Sequence, residues 1–349
     1  MNQASFHVPS YPLAEREATF SAAVRVVRRT GSYPRDRALA VLGHTGLVAG
    51  ALVAGIALTA GLSLVSRAAA GVVFLLVCLG LALGLMPLIE RRFFAMRCAL
   101  AFLVTEVLLQ RGAVPASGTT DAATGFLAQR FGELAGPVYD AHIDVRRRAQ
   151  RLLRTVDGLG DLLPIDVGPL RSLAGWLVDR VAPRVADLAL SHAVARGGDY
   201  ATAADDAVTY VAQNARPLLG TATRAWLIER ALGWLAGAVA LVVAGGATFA
   251  AVGALTARAA AGAEVPAEGA QALGIVAALF AATLVGGAFS ALASWFVRLA
   301  FIEPVCLAML LIRFHATIQG QPVDAALRAR LDDAHHAMGA TNHLADLLE

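Results

Sequence analysis

Residues 236–255 read AGAVALVVAGGATFAAVGAL, twenty consecutive positions without a charged side chain. They belong to a longer apolar run over 226–256, and a second apolar run follows over 272–296. Each run exceeds the roughly 20 apolar residues that a helix needs to cross a hydrocarbon layer of about 30 Å. The short polar loop between them predicts an antiparallel hairpin of two membrane-spanning helices.

The same plan occurs near the start of the chain, between Ala38 and Gly112. In both places an apolar helix follows the hairpin and holds a cysteine: Cys98 lies fourteen residues before Gly112, and Cys306 lies fourteen residues before Gly320. We therefore predict an all-α, polytopic membrane protein with two parallel repeats, each made of an amphipathic helix, a transmembrane hairpin and a tail helix. A chance match between apolar helices of low complexity is the alternative.

Charge distribution predicts which side of the membrane each unit occupies. The arginine-rich helix around Arg147 favours a cytoplasmic location for the middle of the chain, and two spans per repeat then place both termini in the cytoplasm. Whether the tail helices 93–110 and 299–318 span the membrane or lie at its interface stays open. The predicted units are a first membrane repeat over 1–112 with spans at about 39–65 and 69–89, a helical cytoplasmic insert over 113–200, a second membrane repeat over 201–322 with spans at about 226–256 and 272–296, and a polar C-terminal tail over 323–349.

Composition supports a membrane protein. Of 349 residues, 57 % are hydrophobic and 16 % charged, and the mean hydropathy is +0.62; soluble domains average about 25 % charged residues. The net charge of +3 fits positive-inside topology, and it gives no indication of nucleic-acid binding. The bias towards Ala, Gly, Val, Leu and Arg suggests a bacterial protein, and we expect it in the inner (cytoplasmic) membrane. The three cysteines predict no disulfide framework.

Local patterns add expectations about the helices. Apolar residues from Glu15 to Arg29 share one face, which predicts an interfacial helix with its basic side towards lipid headgroups. Small residues recur every four positions at Gly46, Gly50 and Ala54 and again in the second hairpin at Gly233, Gly237 and Gly245, a spacing typical of close helix contacts in lipid. Prolines 183 and 217 are expected to separate helices.

Ionisable residues in the tail helices are the candidate functional residues, because charges at membrane depth are costly and usually mark a pathway. The alternative is a helix at the interface, where these side chains reach water. The candidate pathway-lining residues are Glu303, Arg313 and His315 in the second copy, and Arg97 and Glu106 in the first.

Two acidic and histidine groups resemble metal ligands. The first is Asp140, His142 and Asp144; the second consists of Asp332, His336, His343 and Asp346. We interpret the first as solvated surface and the second as a polar tail, and we expect no metal or other cofactor. Nucleotide-binding and hydrolase motifs are absent from the sequence, so an enzyme is not expected.

Two stretches carry a resemblance to known proteins. Residues 206–219 (DAVTYVAQNARPLL) precede the second hairpin, and residues 301–310 (FIEPVCLAML) lead into 318–323 (IQGQPV). Over roughly 201–330 the chain resembles uncharacterised bacterial multi-pass membrane proteins, which implies a fold and no activity. A fainter likeness joins residues 204–214 and the following hairpin to the C-terminal half of choline-transporter-like proteins, which are longer.

Two functions remain open from the sequence. The first is an oligomeric inner-membrane protein, a homo-oligomer in lipid, that forms or supports a pathway for a small solute or ion. The second is a non-catalytic membrane scaffold that recruits a cytoplasmic protein partner or shapes the bilayer. The position of Glu303, in a water-filled cavity or outside the hydrocarbon layer, discriminates between them.

Overall fold

The computed structural model describes residues 8–63, 66–80, 83, 86–111, 118–132, 137–155, 171–197, 199–261 and 267–329. Within these ranges the chain is helical and contains no strand, as the sequence predicts. The helices are α1 (Phe20–Arg28), α2 (Tyr33–Ser63), α3 (Arg67–Gly80), α4 (Met86–Leu108), α5 (Thr119–Phe131), α6 (Pro137–Thr155), α7 (Arg171–Arg196), α8 (Tyr200–Gln213), α9 (Ala215–Ala261), α10 (Ala267–Val297) and α11 (Glu303–Ile318), with a π-helical segment (Arg298–Ile302) between the last two.

Three helical stretches are long and apolar enough to cross a membrane: Tyr33–Gly55, Ala215–Arg258 and Gly274–Ile318. Helix α9 has 47 residues and is therefore about 70 Å long, more than twice the hydrocarbon thickness. Its large apolar side chains are exposed from Leu227 to Leu255, whereas Leu218 and Leu219 are buried in the protein. One end of α9 thus belongs to a protein core and the other presents an apolar surface suited to lipid.

The second hairpin is held by close backbone contacts between α9 and α10. A Cβ atom on Gly237 would lie 2.9 Å from the Ser290 hydroxyl oxygen, and one on Gly286 would lie 3.0 Å from the Gly245 Cα. Only hydrogen fits at such positions, so the small-residue spacing predicted for Gly237 and Gly245 is confirmed as a helix contact.

The first hairpin packs differently from the prediction. Added Cβ atoms on Gly46 and Gly50 would meet no other atom within 4 Å, so these residues face open space. The close contact is made instead by Gly55, whose Cβ would lie 2.7 Å from Val77 Cγ1. The four-residue spacing was therefore no guide to the face of α2 that meets α3.

The protein core is a helical bundle at the base of the two hairpins. It contains the tail helices α4 and α11, surrounded by α1, α7, α8 and the start of α9. Thirteen of the sixteen residues of α11 are buried, which explains why this helix is apolar on all sides. The tail helices are thus buried by protein, which answers the question that their sequence left open.

Helix α1 also differs from its expected role. Its apolar residues Ala22, Ala23, Val26 and Val27 are buried in the same core, and the helix packs against α11. The prediction that this face lies in lipid was wrong, because an apolar stripe signals burial without revealing whether protein or lipid provides it. The basic side chains of Arg28 and Arg29 remain exposed.

Neither proline separates helices as predicted. Helix α7 runs through Pro183 from Arg171 to Arg196, and its second half is buried between α4 and α8, which offsets the missing backbone hydrogen bond. Pro217 lies in the first turn of α9, where a proline costs least because the first amides have no intrahelical partner. The duplication itself stays a prediction; Cys98 and Cys306 are both buried in their tail helices.

Candidate functional site

The backbone around Glu303 departs from regular α-helix for a local reason. In the π-helical segment the Glu303 amide donates to the Arg298 carbonyl, five residues back. The next carbonyl in that register, Leu299, would pair with residue 304, but Pro304 has no N–H to donate. The Arg37 guanidinium supplies the missing donor, with its Nε 3.1 Å from the Leu299 oxygen. Sequence at one helix junction thus creates a position for an arginine from α2.

Three arginines from three helices surround the Glu303 carboxylate. Arg37 Nη2 donates to Oε2 at 2.8 Å, Arg97 Nη2 donates to Oε1 at 2.6 Å, and Arg184 Nη1 lies 3.4 Å from Oε1. Glu303 is 5 % exposed and Arg37 is 2 % exposed. We call these four residues the Glu303 cluster. Its members come from α2, α4, α7 and α11, so it joins both hairpins to the bundle.

A second layer of charges extends the cluster towards α9. Arg184 also lies 3.8 Å from Asp187 and 3.7 Å from Glu229, and Glu229 pairs with Arg298 at 3.4 Å. Each carboxylate therefore has a guanidinium neighbour, which is what buried charges require. Burial alone would lower the pKa of Arg97, but the Glu303 carboxylate raises it above its usual value.

Aromatic rings cover the cluster on the side of the hairpins. The Arg37 guanidinium lies over the Phe93 ring, 5.0 Å from its centroid. The same ring contacts His44 of α2 and Trp295 of α10, with centroid separations of 5.2 and 6.4 Å. These rings exclude water beside the ion pairs, and their contacts again connect the first hairpin with the second.

His315 lies in a separate buried chain of polar side chains. Its Nε2 is 2.7 Å from the Ser191 hydroxyl and its Nδ1 is 2.6 Å from the Tyr11 hydroxyl; Ser191 is 2.6 Å from Thr105. Thr105 donates to the Ala101 carbonyl, so Ser191 must donate to Thr105, and His315 must donate to Ser191. That polarity is the reverse of a serine nucleophile activated by histidine.

The remaining predicted residues lie apart from this site. The structure brings Glu303 and Arg97 together, as a shared pathway requires, but His315 belongs to the chain just described. Arg313 lines a cleft between α1 and α9. Glu106 is partly buried near the end of α4, where burial raises its pKa and Arg111 and Arg130 lower it, with a net increase.

The predicted metal groups have different outcomes. Asp140 and Asp144 are exposed, as expected of a surface, whereas His142 is buried against the Phe94 ring. Among the residues that the structure describes, no three acidic, histidine or cysteine side chains form a group able to hold a metal. The second group, from Asp332 onwards, lies outside the described residues.

His142 is expected to make the stability of the protein depend on pH. Burial lowers its pKa to about 4 despite Asp187, whose carboxylate is 3.7 Å away and raises it; Arg97 and Arg146 lower it further. The native imidazole is therefore neutral at pH 7, and the unfolded chain binds the proton first. We expect the free energy of unfolding to fall as pH drops from about 6.5 to 4, by on the order of 3 kcal/mol.

A thermal unfolding series across this pH range would check the expectation. The variant His142→Gln removes the titrating group and should show a shallower loss of stability than the wild type. Equal slopes in the two proteins would show that other groups cause the acid sensitivity.

Sequence reasoning missed most partners of Glu303. Arg37 precedes an apolar run and has the appearance of an ordinary interface arginine, and Arg184 lies in an arginine-rich region without distinguishing spacing. The available signal was Glu303 itself, because a buried carboxylate requires cations from elsewhere in the chain.

Comparison with models of protein families, with curated proteins and with solved structures finds no match. The resemblance to uncharacterised bacterial membrane proteins therefore stays a prediction.

Proposed function

We propose that this protein is a non-catalytic membrane scaffold, in which two apolar hairpins anchor a helical bundle that binds a cytoplasmic protein partner. The observation that supports it most is the Glu303 cluster. Both carboxylate oxygens are occupied by arginines from three helices. Such a carboxylate is suited to fixing helices relative to each other, and it offers no free oxygen to a passing cation.

The alternative pathway for a small solute or ion has less support. A pathway residue must exchange partners as the solute passes, whereas Glu303 would have to break contacts with Arg37 and Arg97 to do so. The polar residues proposed for the pathway also lie in three separate places in the bundle. In both hypotheses the bacterial inner membrane, the cytoplasmic termini and homo-oligomer formation belong to the proposal.

Flux through proteoliposomes would test the choice between the two functions. We expect no protein-dependent leak of protons or potassium from vesicles that contain folded wild-type protein. In parallel, a photo-crosslinking residue replacing the exposed Arg147 on α6 should capture a defined partner in cells, whereas the same residue replacing the exposed Arg28 should not. A flux that wild type supports and Glu303→Gln abolishes, with both proteins folded, would overturn the scaffold proposal.

A further inference from the structure

A cleft of about 540 Å³ lies where the beginning of α1 meets α9 and α11. Three arginines line it: Arg216 and Arg224 from α9, and Arg313 from α11. The other lining residues are Glu17, Ala18, Thr19, Pro217, Gly220 and Thr221. The cleft therefore contains three guanidinium groups and one carboxylate, an excess of two positive charges.

These arginines differ from those of the Glu303 cluster. Within the described residues, no acidic side chain lies within salt-bridge distance of any of the three, whereas Arg37, Arg97, Arg184 and Arg298 all have acidic partners. Like charges that share a cleft repel each other, so an anion would relieve the repulsion on binding. The first turn of α1 begins beside them at Thr19, and its positive dipole end adds to the attraction.

The cleft also has a defined position along α9. Eight residues separate Arg216 from Arg224, about 12 Å along the helix. Arg224 lies three residues before Leu227, where the exposed apolar surface of α9 begins. One end of the cleft is therefore at the level of that apolar surface, and the other is deeper in the bundle region near Arg313.

We propose that this cleft binds a phosphate-bearing anion through Arg216, Arg224 and Arg313. Guanidinium groups match phosphate oxygens in pairs and stay charged at every physiological pH. A doubly charged phosphate balances the excess of two positive charges, which a single carboxylate would not. The phosphate can come from a lipid headgroup that enters at Arg224 or from a soluble compound that enters from the aqueous side.

Two binding measurements on the full chain distinguish these sources. The first titrates detergent-solubilised protein with inorganic pyrophosphate in a calorimeter. The second compares the thermal midpoint of protein in phosphatidylcholine vesicles with and without phosphatidic acid. We expect wild type to respond to at least one probe, and Arg216→Gln/Arg224→Gln to weaken that response about tenfold or more. Both residues are exposed, so the variant should keep its fold.

A matched control removes the same charge elsewhere. Arg28→Gln/Arg29→Gln alters two exposed arginines of α1 that do not line the cleft, and it should bind like wild type. A response to pyrophosphate alone assigns a soluble ligand, a response to phosphatidic acid alone assigns a lipid, and either supports the site. Failure of both probes, or an equal loss in the control variant, would overturn it.

Discussion

Replacing Glu303 by glutamine is expected to destabilise the bundle more than any other single side-chain change of the same size. The substitution keeps the shape and removes the charge, so Arg37, Arg97 and Arg184 are left without the carboxylate that now contacts all three. Removing one partner of a buried ion pair typically costs about 3–5 kcal/mol. Because Arg97 and Arg184 are partly exposed, we expect the lower end of that range.

Thermal unfolding in detergent, followed with a thiol-reactive dye, measures this effect directly. Cys98 and Cys306 are buried and react only when the bundle opens, and a Cys78→Ser background restricts the signal to these two. A large fall in the midpoint is expected for Glu303→Gln. Adding Arg97→Met should restore part of the loss, because one unpaired guanidinium is removed.

The control for this prediction is Glu15→Gln. Glu15 pairs with Arg25 at 2.8 Å, but the Arg25 side chain is 57 % exposed, and pairs of this kind contribute about 1 kcal/mol or less. If the Glu303 variant unfolds at the same temperature as the Glu15 variant, the cluster does not hold the helices together, and the scaffold proposal loses its main support.

The partners of Glu303 show what sequence can and cannot provide. An ionisable residue in an apolar helix is visible in the sequence, and Glu303 and Arg97 were selected on that basis. Arg37 is 266 positions from Glu303 and Arg184 is 119 positions away. Helical periodicity relates residues within one helix, so it carries no information about which distant arginine completes the pair.

The apolar helices illustrate a second limit. Run length predicted the hairpins well, because the width of a membrane sets a minimum length. It did not reveal that α4 and α11 are enclosed by protein or that α1 packs on α11. Protein and lipid satisfy an apolar face equally, and only the arrangement of the other helices decides between them.

Glycine positions divide in the same way, and this leads to the second large prediction. The spacing in α9 coincides with real contacts, whereas Gly46 and Gly50 in α2 have none within this chain. Gly286 is buried at the closest approach in the hairpin: its Cβ would lie 3.0 Å from Gly245 Cα and 3.0 Å from Leu241 Cδ1. The first of these neighbours is backbone, which cannot rotate away.

Gly286→Leu is therefore expected to separate α9 from α10, at a cost of about 1–3 kcal/mol from overpacking. Its neighbour Gly287 is exposed, and a Cβ there would meet nothing within 4 Å, so Gly287→Leu adds the same side chain without the clash. Separation can be read from a disulfide between Thr256→Cys and Gly274→Cys, whose Cβ atoms would be 3.1 Å apart near the loop end of the hairpin. Oxidation should cross-link this pair readily in the unsubstituted hairpin and with Gly287→Leu, and poorly with Gly286→Leu. Equal cross-linking in both leucine variants would contradict the close packing of these helices, because a leucine at the contact must move one backbone away from the other.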